Sequence, residues 1–203
     1  MPGLDRSIHS VPLDQILFDT FGTTRVCFVP LSEISDVLPW LGDDYDLVLG
    51  YESGDDAYAY PINILNFLEI VNDTIGGVPV LITYCPLCFS GVVFNRELDG
   101  QTLTFGNTSA LYQSDLVMSD HQTGSYWFQV AGEAVVGTMA GSRLKRLALT
   151  TMPWGQWKGL HADTFLITGS QGGRRPNLRR HVTAAGLAVA TKTVSTKAGL
   201  PSR

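Results

Sequence analysis

The sequence predicts an α+β fold: mainly antiparallel β-sheet, curled or barrel-like, with a few short helices. Three observations predict it. Short runs rich in Val, Ile, Thr, Tyr and Phe recur along the chain, and turn-forming pairs such as Asp99-Gly100 separate them. The 21 glycines among 203 residues suit many tight connections rather than long helices. Repeated short strands leave unpaired edges, which curling or closing of the sheet hides.

Residues 1–10 read as a loose leader and residues 11–17 as a short turn of helix. Arg25-Val26-Cys27-Phe28-Val29-Pro30 reads as a strand closed by proline, with Cys27 a small buried hydrophobe. Ser32 caps a helix carrying Ile34, Val37, Leu38 and Leu41, which stops near Gly42. Residues 47–51 and 56–60 form a hairpin across Glu52-Ser53-Gly54-Asp55. Pro61 suits the first turn of a helix running to about Asn72. Ile64, Phe67, Leu68 and Val71 line its buried stripe, with Asn66, Glu69 and Asp73 on the other side. Thr74-Ile75-Gly76-Gly77 turns the chain into the strand that ends at Tyr84-Cys85.

Beyond it, residues 92–98 and 101–105 pair across Asp99-Gly100, and residues 116–118 and 125–130 pair across a polar turn. Residues 134–136 and 143–147 continue the strand pattern, residues 154–160 form a last short helix and residues 164–168 a last strand. From Ser170 the character changes: the tail holds seven of the 14 Lys and Arg and no acid. It reads as flexible, with weak helix over residues 177–192, or alternatively as a basic contact arm. The chain thus divides into a leader (1–10), one β-rich domain (11–169) and a basic tail (170–203).

The densest chemistry lies in Val80-Leu81-Ile82-Thr83-Tyr84-Cys85-Pro86-Leu87-Cys88-Phe89-Ser90-Gly91-Val92-Val93-Phe94. Pro86 cannot continue a ladder and Gly91 permits a sharp bend, so two thiols sit where a strand leaves the sheet. A thiol there meets solvent or ligand, and its neighbours tune its ionisation. Three cysteines are too few for a secreted disulfide framework, so reduced thiols are expected. A formal charge of −5 points away from nucleic acid as a partner. No run approaches the about 18 apolar residues of a membrane span, and the N-terminus lacks a basic-then-apolar signal pattern. The expectation is a cytoplasmic protein without membrane partners that takes a small-molecule ligand; the oligomeric state is not readable.

Several ordered blocks resemble the domain-of-unknown-function family DUF3179: Tyr60-Pro61-Ile62-Asn63-Ile64-Leu65, Glu69-Ile70-Val71-Asn72-Asp73, Thr83-Tyr84-Cys85-Pro86-Leu87-Cys88, Val93-Phe94-Asn95-Arg96, Ser114-Asp115-Leu116-Val117-Met118 and Gly132-Glu133-Ala134-Val135-Val136-Gly137. The resemblance covers about residues 11–168 and implies a family, not a reaction. It also marks two departures. Leu68 stands where the family pattern has a histidine, which removes a general base or metal ligand. Phe89 stands where it has a glycine, which alters the freedom of the thiol turn.

Three functional readings follow. The leading one is a small-molecule-transforming enzyme in which Cys85 is nucleophile or acid-base residue, Cys88 supports it, and Glu69 exchanges protons or orients the ligand. Arg96 or Arg143, folded back over the turn, would favour the thiolate; His9, His121, His161 and His181 read as surface residues. The second is a metal- or ligand-binding module on the same thiols. No cofactor is expected; zinc or copper at Cys85 and Cys88 is the alternative. A closed zinc site normally shows a second Cys or His pair and the sequence has none, so its shell would need Cys27 and a distant His or carboxylate. Leu68 in place of the histidine counts against an open metal site. Thioredoxin-type exchange is disfavoured because the thiols precede a strand, not a helix. The third is a cyclase or isomerase acting through a shaped aromatic pocket. Tyr84, Ser114, Asp115, Trp127, Gln129, Glu133 and Arg143 are the substrate-binding candidates, with Trp127 and Gln129 sharing one strand face. Against all three stands the plain alternative of two packed cysteines and an ordinary aromatic core.

Overall fold

The computed structural model of the chain describes residues 4–18, 41, 43–167 and 179–183. A 3-10 turn (Leu13–Gln15) leads into strand β1 (Ile16–Phe18). The predicted strand around Cys27 and the helix after Ser32, apart from Leu41, lie outside the described residues. β2 (Leu47–Ser53) and β3 (Asp56–Pro61) form the expected hairpin, with Ser53 opposite Asp56. Helix α1 (Ile62–Leu68) starts after Pro61 but stops well short of Asn72. Glu69 breaks it at φ 55°, ψ −38°, and the β-branched run that follows becomes β4 (Ile70–Ile75). Phe67, expected on the buried stripe, is exposed, while Ile64 and Leu65 are buried.

Gly76 and Gly77, both at positive φ, close a two-residue hairpin between β4 and β5 (Val78–Cys85). β6 (Ser90–Asn95) returns antiparallel to β5. Asp99-Gly100 turns the chain as expected, but its arms β7 (Glu97–Leu98) and β8 (Gln101–Thr102) are two residues each. β9 (Phe105–Tyr112), β10 (Asp115–Asp120), β11 (Tyr126–Phe128) and β12 (Glu133–Val136) then form a meander. β13 (Lys145–Leu147), β14 (Thr150–Pro153), helix α2 (Trp154–Leu160) and β15 (Asp163–Ile167) complete the part expected to be ordered. Where weak helix was expected, β16 (Arg179–Thr183) pairs along β15.

Apart from the small β7-β8 ribbon, these strands make three sheets, ordered β1-β9-β10-β11-β12, β13-β6-β5-β4 and β14-β2-β3-β15-β16. The fold is α+β and β-rich; one sheet curls into a half-barrel, and the pairing is antiparallel except between β15 and β3. Alternation along β5 sets the layering. Val80, Ile82 and Tyr84 pack with Leu49, Tyr58 and Tyr60 of the third sheet and with Ile64 and Leu65 of α1. Leu81 and Cys85 pack instead with Met118, Trp127 and Ala134 of the first sheet. The second sheet is therefore a middle layer covered on both faces. Trp154 and Trp157 of α2 cover the far face of the third sheet, and Leu4, Val11 and Leu13 that of the first. At the N-terminal end, Ser10 and Ile8 bond by backbone to Val135 and Gly137.

Gly91 lies within β6 rather than at a bend. A Cβ there would meet the Leu49 methyls at 2.7 Å, so this glycine lets the second and third sheets approach beside the thiol turn. Among the described residues no helix is long and apolar enough to cross a membrane.

Candidate functional site

The turn Pro86-Leu87-Cys88-Phe89 joins β5 to β6, with Cys85 opposite Ser90 at its base. The two thiols occupy different surroundings. Cys85 ends the buried strand and is 1% exposed among the residues of the first and second sheets, whereas Cys88 is exposed on the turn. Burial is the main force pushing the Cys85 thiol up to about 12. Its hydrogen bond with the Cys88 thiol and the nearby Asp115 charge push the same way; backbone N–H groups of Cys88 and Leu116 oppose them.

Asp115 reaches the thiols from the neighbouring sheet. It opens β10 after the two-residue turn Gln113-Ser114, in which both residues have positive φ (51° and 65°), the pattern of a type I′ hairpin usually built with Asn and Gly. Asp115 is 4% exposed. Oδ1 accepts the Cys88 S–H at 3.0 Å, and Oδ2 accepts the Val130 backbone N–H at 2.9 Å. Ser90 Oγ lies 3.1 Å from Cys88 Sγ and donates to Gln129 Oε1 at 3.1 Å. Gln129, wholly buried, donates from Nε2 to Thr83 Oγ1 at 2.8 Å, and Thr83 donates to the Val92 carbonyl at 2.9 Å. The sulfurs of Cys85 and Cys88 and a carboxylate oxygen of Asp115 all lie within 4.8 Å of one another.

Of the residues singled out from sequence, Cys85, Cys88, Asp115 and Gln129 are thus brought together, and exposed Ser114 belongs to the turn that presents Asp115. The others are engaged elsewhere. Tyr84 points to the opposite face of β5. Trp127 is wholly buried in the core between sheets, its indole N–H donating to Asp120 Oδ2 at 2.9 Å. Glu133 pairs with Arg143 at 2.6 Å, and the Arg143 side chain is 68% exposed. Arg96 donates to the carbonyls of Asp73 and Leu103 rather than folding over the thiol turn. The Glu69 carboxylate bonds Asn107 of β9, and burial pushes it up to about 7 although that bond acts to lower it. Its backbone carbonyl accepts the Tyr84 N–H, which places Glu69 beside the last turn of β5.

Sequence reasoning missed Ser90, Thr83 and Asn107. Two of these had a signal. Thr83 shares the Cys85 face of β5 by alternation, and Ser90 faces Cys85 once the four-residue turn is closed. Asn107 had none, since only the docking of two sheets brings it to Glu69.

The family model described as "Protein of unknown function (DUF3179)" matches residues 26–180, well over half of the chain. The chain belongs to this family. No curated protein and no solved structure matches it. The structure describes both positions that the sequence resemblance singles out, Phe89 and Leu68. Phe89 has φ 53°, the left-handed region that glycine enters without steric cost. Leu68 packs into the cluster formed by Leu49, Tyr60 and Ile82, on the opposite side of β5 from Cys85.

Proposed function

We propose that this DUF3179 domain binds a thiophilic divalent metal, zinc above all, through Cys85, Cys88 and Asp115, and presents the remaining coordination position to a small molecule. The observation that carries the reading is the convergence of two sulfurs and one carboxylate oxygen within 4.8 Å. Tetrahedral zinc with bonds of about 2.3 Å to sulfur and about 2.0 Å to oxygen holds its sulfur and oxygen ligands about 3.5 Å apart. The Cys88–Asp115 contact of 3.0 Å needs to open by only about half an ångström to meet that. The carboxylate favours zinc over copper(I), which prefers an all-sulfur set.

Neighbouring groups support the donors. The Val130 N–H fixes one carboxylate oxygen and leaves the other toward the sulfurs, and the Gln129–Ser90 pair holds the base of the thiol turn. A free Cys85 thiolate is disfavoured by burial, so this sulfur is a weak nucleophile unless a cation offsets its charge. Zinc with three protein ligands and one open position supplies Lewis acidity to a bound oxygen.

Elemental analysis of the purified chain after zinc exposure tests the reading. One ion per chain is expected, and Cys85→Ser, Cys88→Ser and Asp115→Asn each weaken uptake by more than the about 10- to 100-fold that loss of an outer partner costs. A chain that stays metal-free under these conditions sinks it.

A second reading rests on one contact. The exposed Cys88 thiol already donates to Asp115, so Cys88, rather than Cys85, would be the nucleophile of a metal-independent enzyme with Asp115 accepting its proton. In that case added zinc inhibits turnover, and a chelator leaves it intact.

A further inference from the structure

Nine large apolar side chains are exposed among the described residues, and three of them gather at the thiols. Leu87 (66% exposed) and Phe89 (81%) flank Cys88 on its turn. Val130 (37%) adjoins Asp115 through its backbone, the two carboxylate oxygens taking the Cys88 S–H and the Val130 N–H. Phe89 is doubly disfavoured where it is: its ring is in water, and its backbone is in the left-handed region. Folding gains nothing from either feature. Exposed apolar side chains on a strained turn, bordering buried polar donors, mark a surface held ready for a ligand.

The arrangement also restricts what that ligand can be. Cys85 and Asp115 are 1% and 4% exposed, behind the rim, so only a narrow head group reaches them. Two thiolates and a carboxylate carry three negative charges against the two positive charges of zinc. A multiply charged anion such as a phosphate ester is therefore repelled, whereas a neutral or singly charged head is tolerated. Arg146, the cation bonded to the Val130 carbonyl, is already engaged there.

Resting on the metal-site reading above, we infer that the molecule bound here is an organic compound with a metal-seeking head and an apolar body. The head takes the open coordination position, and the body lies over Leu87, Phe89 and Val130. The rim would thus set specificity by chain length or ring size, while the three donors fix the head.

Acetohydroxamate and octanohydroxamate, titrated into the zinc-loaded full chain, separate these contributions because they share a head and differ in apolar length. Each methylene that reaches the rim tightens binding by about two- to fourfold, so octanohydroxamate binds more than about tenfold more tightly. Phe89→Gly combined with Leu87→Ser keeps one zinc per chain and brings the two affinities close together. Failure to take up zinc overturns the metal-site reading and this inference with it. Normal zinc uptake with equal affinity for the two hydroxamates overturns the inference alone. So does sedimentation as a dimer that Phe89→Gly dissociates, since the rim would then be covered by a second copy of the chain.

Discussion

Cys88 and Cys85 sit three positions apart, yet one sulfur meets solvent and a carboxylate while the other is shut between two sheets. Burial, joined by the Cys88 hydrogen bond and the Asp115 charge, pushes the Cys85 thiol up from an ordinary value near 9.0 to about 12, so little of it is thiolate at neutral pH. Alkylation of the native, metal-free chain followed by peptide mapping should therefore label Cys88 and spare Cys85 until the protein is unfolded. Equal labelling of the two in the native state would show that the turn opens readily and that the buried surroundings of Cys85 do not persist in solution. Zinc should protect Cys88 as well, which ties the same measurement to the proposed centre.

At the scale of elements, the site depends on two tight turns, and both place residues other than glycine at positive φ: Phe89 in one, Gln113 and Ser114 in the other. Phe89→Gly should stabilise the fold by about 1 kcal/mol, because the left-handed penalty exceeds the entropy that glycine adds to the unfolded chain. Denaturant unfolding checks it; a loss of stability would mean that the Phe89 ring packs in a way its exposure does not suggest. These turns also explain what the sequence did and did not reveal. Gly76-Gly77 and Asp99-Gly100 are legible because their residues advertise positive φ, and α2 is legible from its compact run after Pro153. Gln113-Ser114 advertises nothing of the kind, and polar Asn107-Thr108-Ser109 obscures β9, so the hairpin that delivers Asp115 could not be drawn from local pattern alone. The α1 boundary was missed for a related reason. Val71 fits a helical stripe by spacing, but the β-branched run from Ile70 favours a strand once Glu69 turns the chain. Of the site itself, the sulfurs, Asp115 and Gln129 were readable as residue types in suggestive places. That Trp127 belongs to the core and that Arg143 pairs with Glu133 follow only from how the sheets stack.

Across the whole molecule, the first and second sheets are joined by polar contacts as well as by the core. Asn72 exchanges two 2.8 Å hydrogen bonds with the backbone of Phe105, and Glu69 bonds Asn107. Burial raises the Glu69 carboxyl from 4.5 to about 7, so the folded chain keeps a proton that the unfolded chain releases. The folded state binds more protons over that interval, which means this contribution is fully present below about pH 4.5 and is lost as the pH rises through about 7. Melting temperatures recorded from pH 5 to pH 8 should fall more steeply for the native chain than for Glu69→Gln; parallel profiles would remove Glu69 as the source.

The covering of β5 on both faces has one more consequence. In a strand with one wet face, sliding by a single residue would drive oily groups into water, and solvent itself forbids the error. Here Tyr84 and Cys85 would merely exchange two dry compartments. Gln129 opposes the slide: it would lose the 2.8 Å bond to Thr83 and be left with only the longer 3.4 Å contact to the Ser90 carbonyl, and a buried donor so weakened costs up to about 1–3 kcal/mol. A threonine and a glutamine thus act as the alignment pin that keeps sulfur, and not a phenol ring, turned toward Asp115.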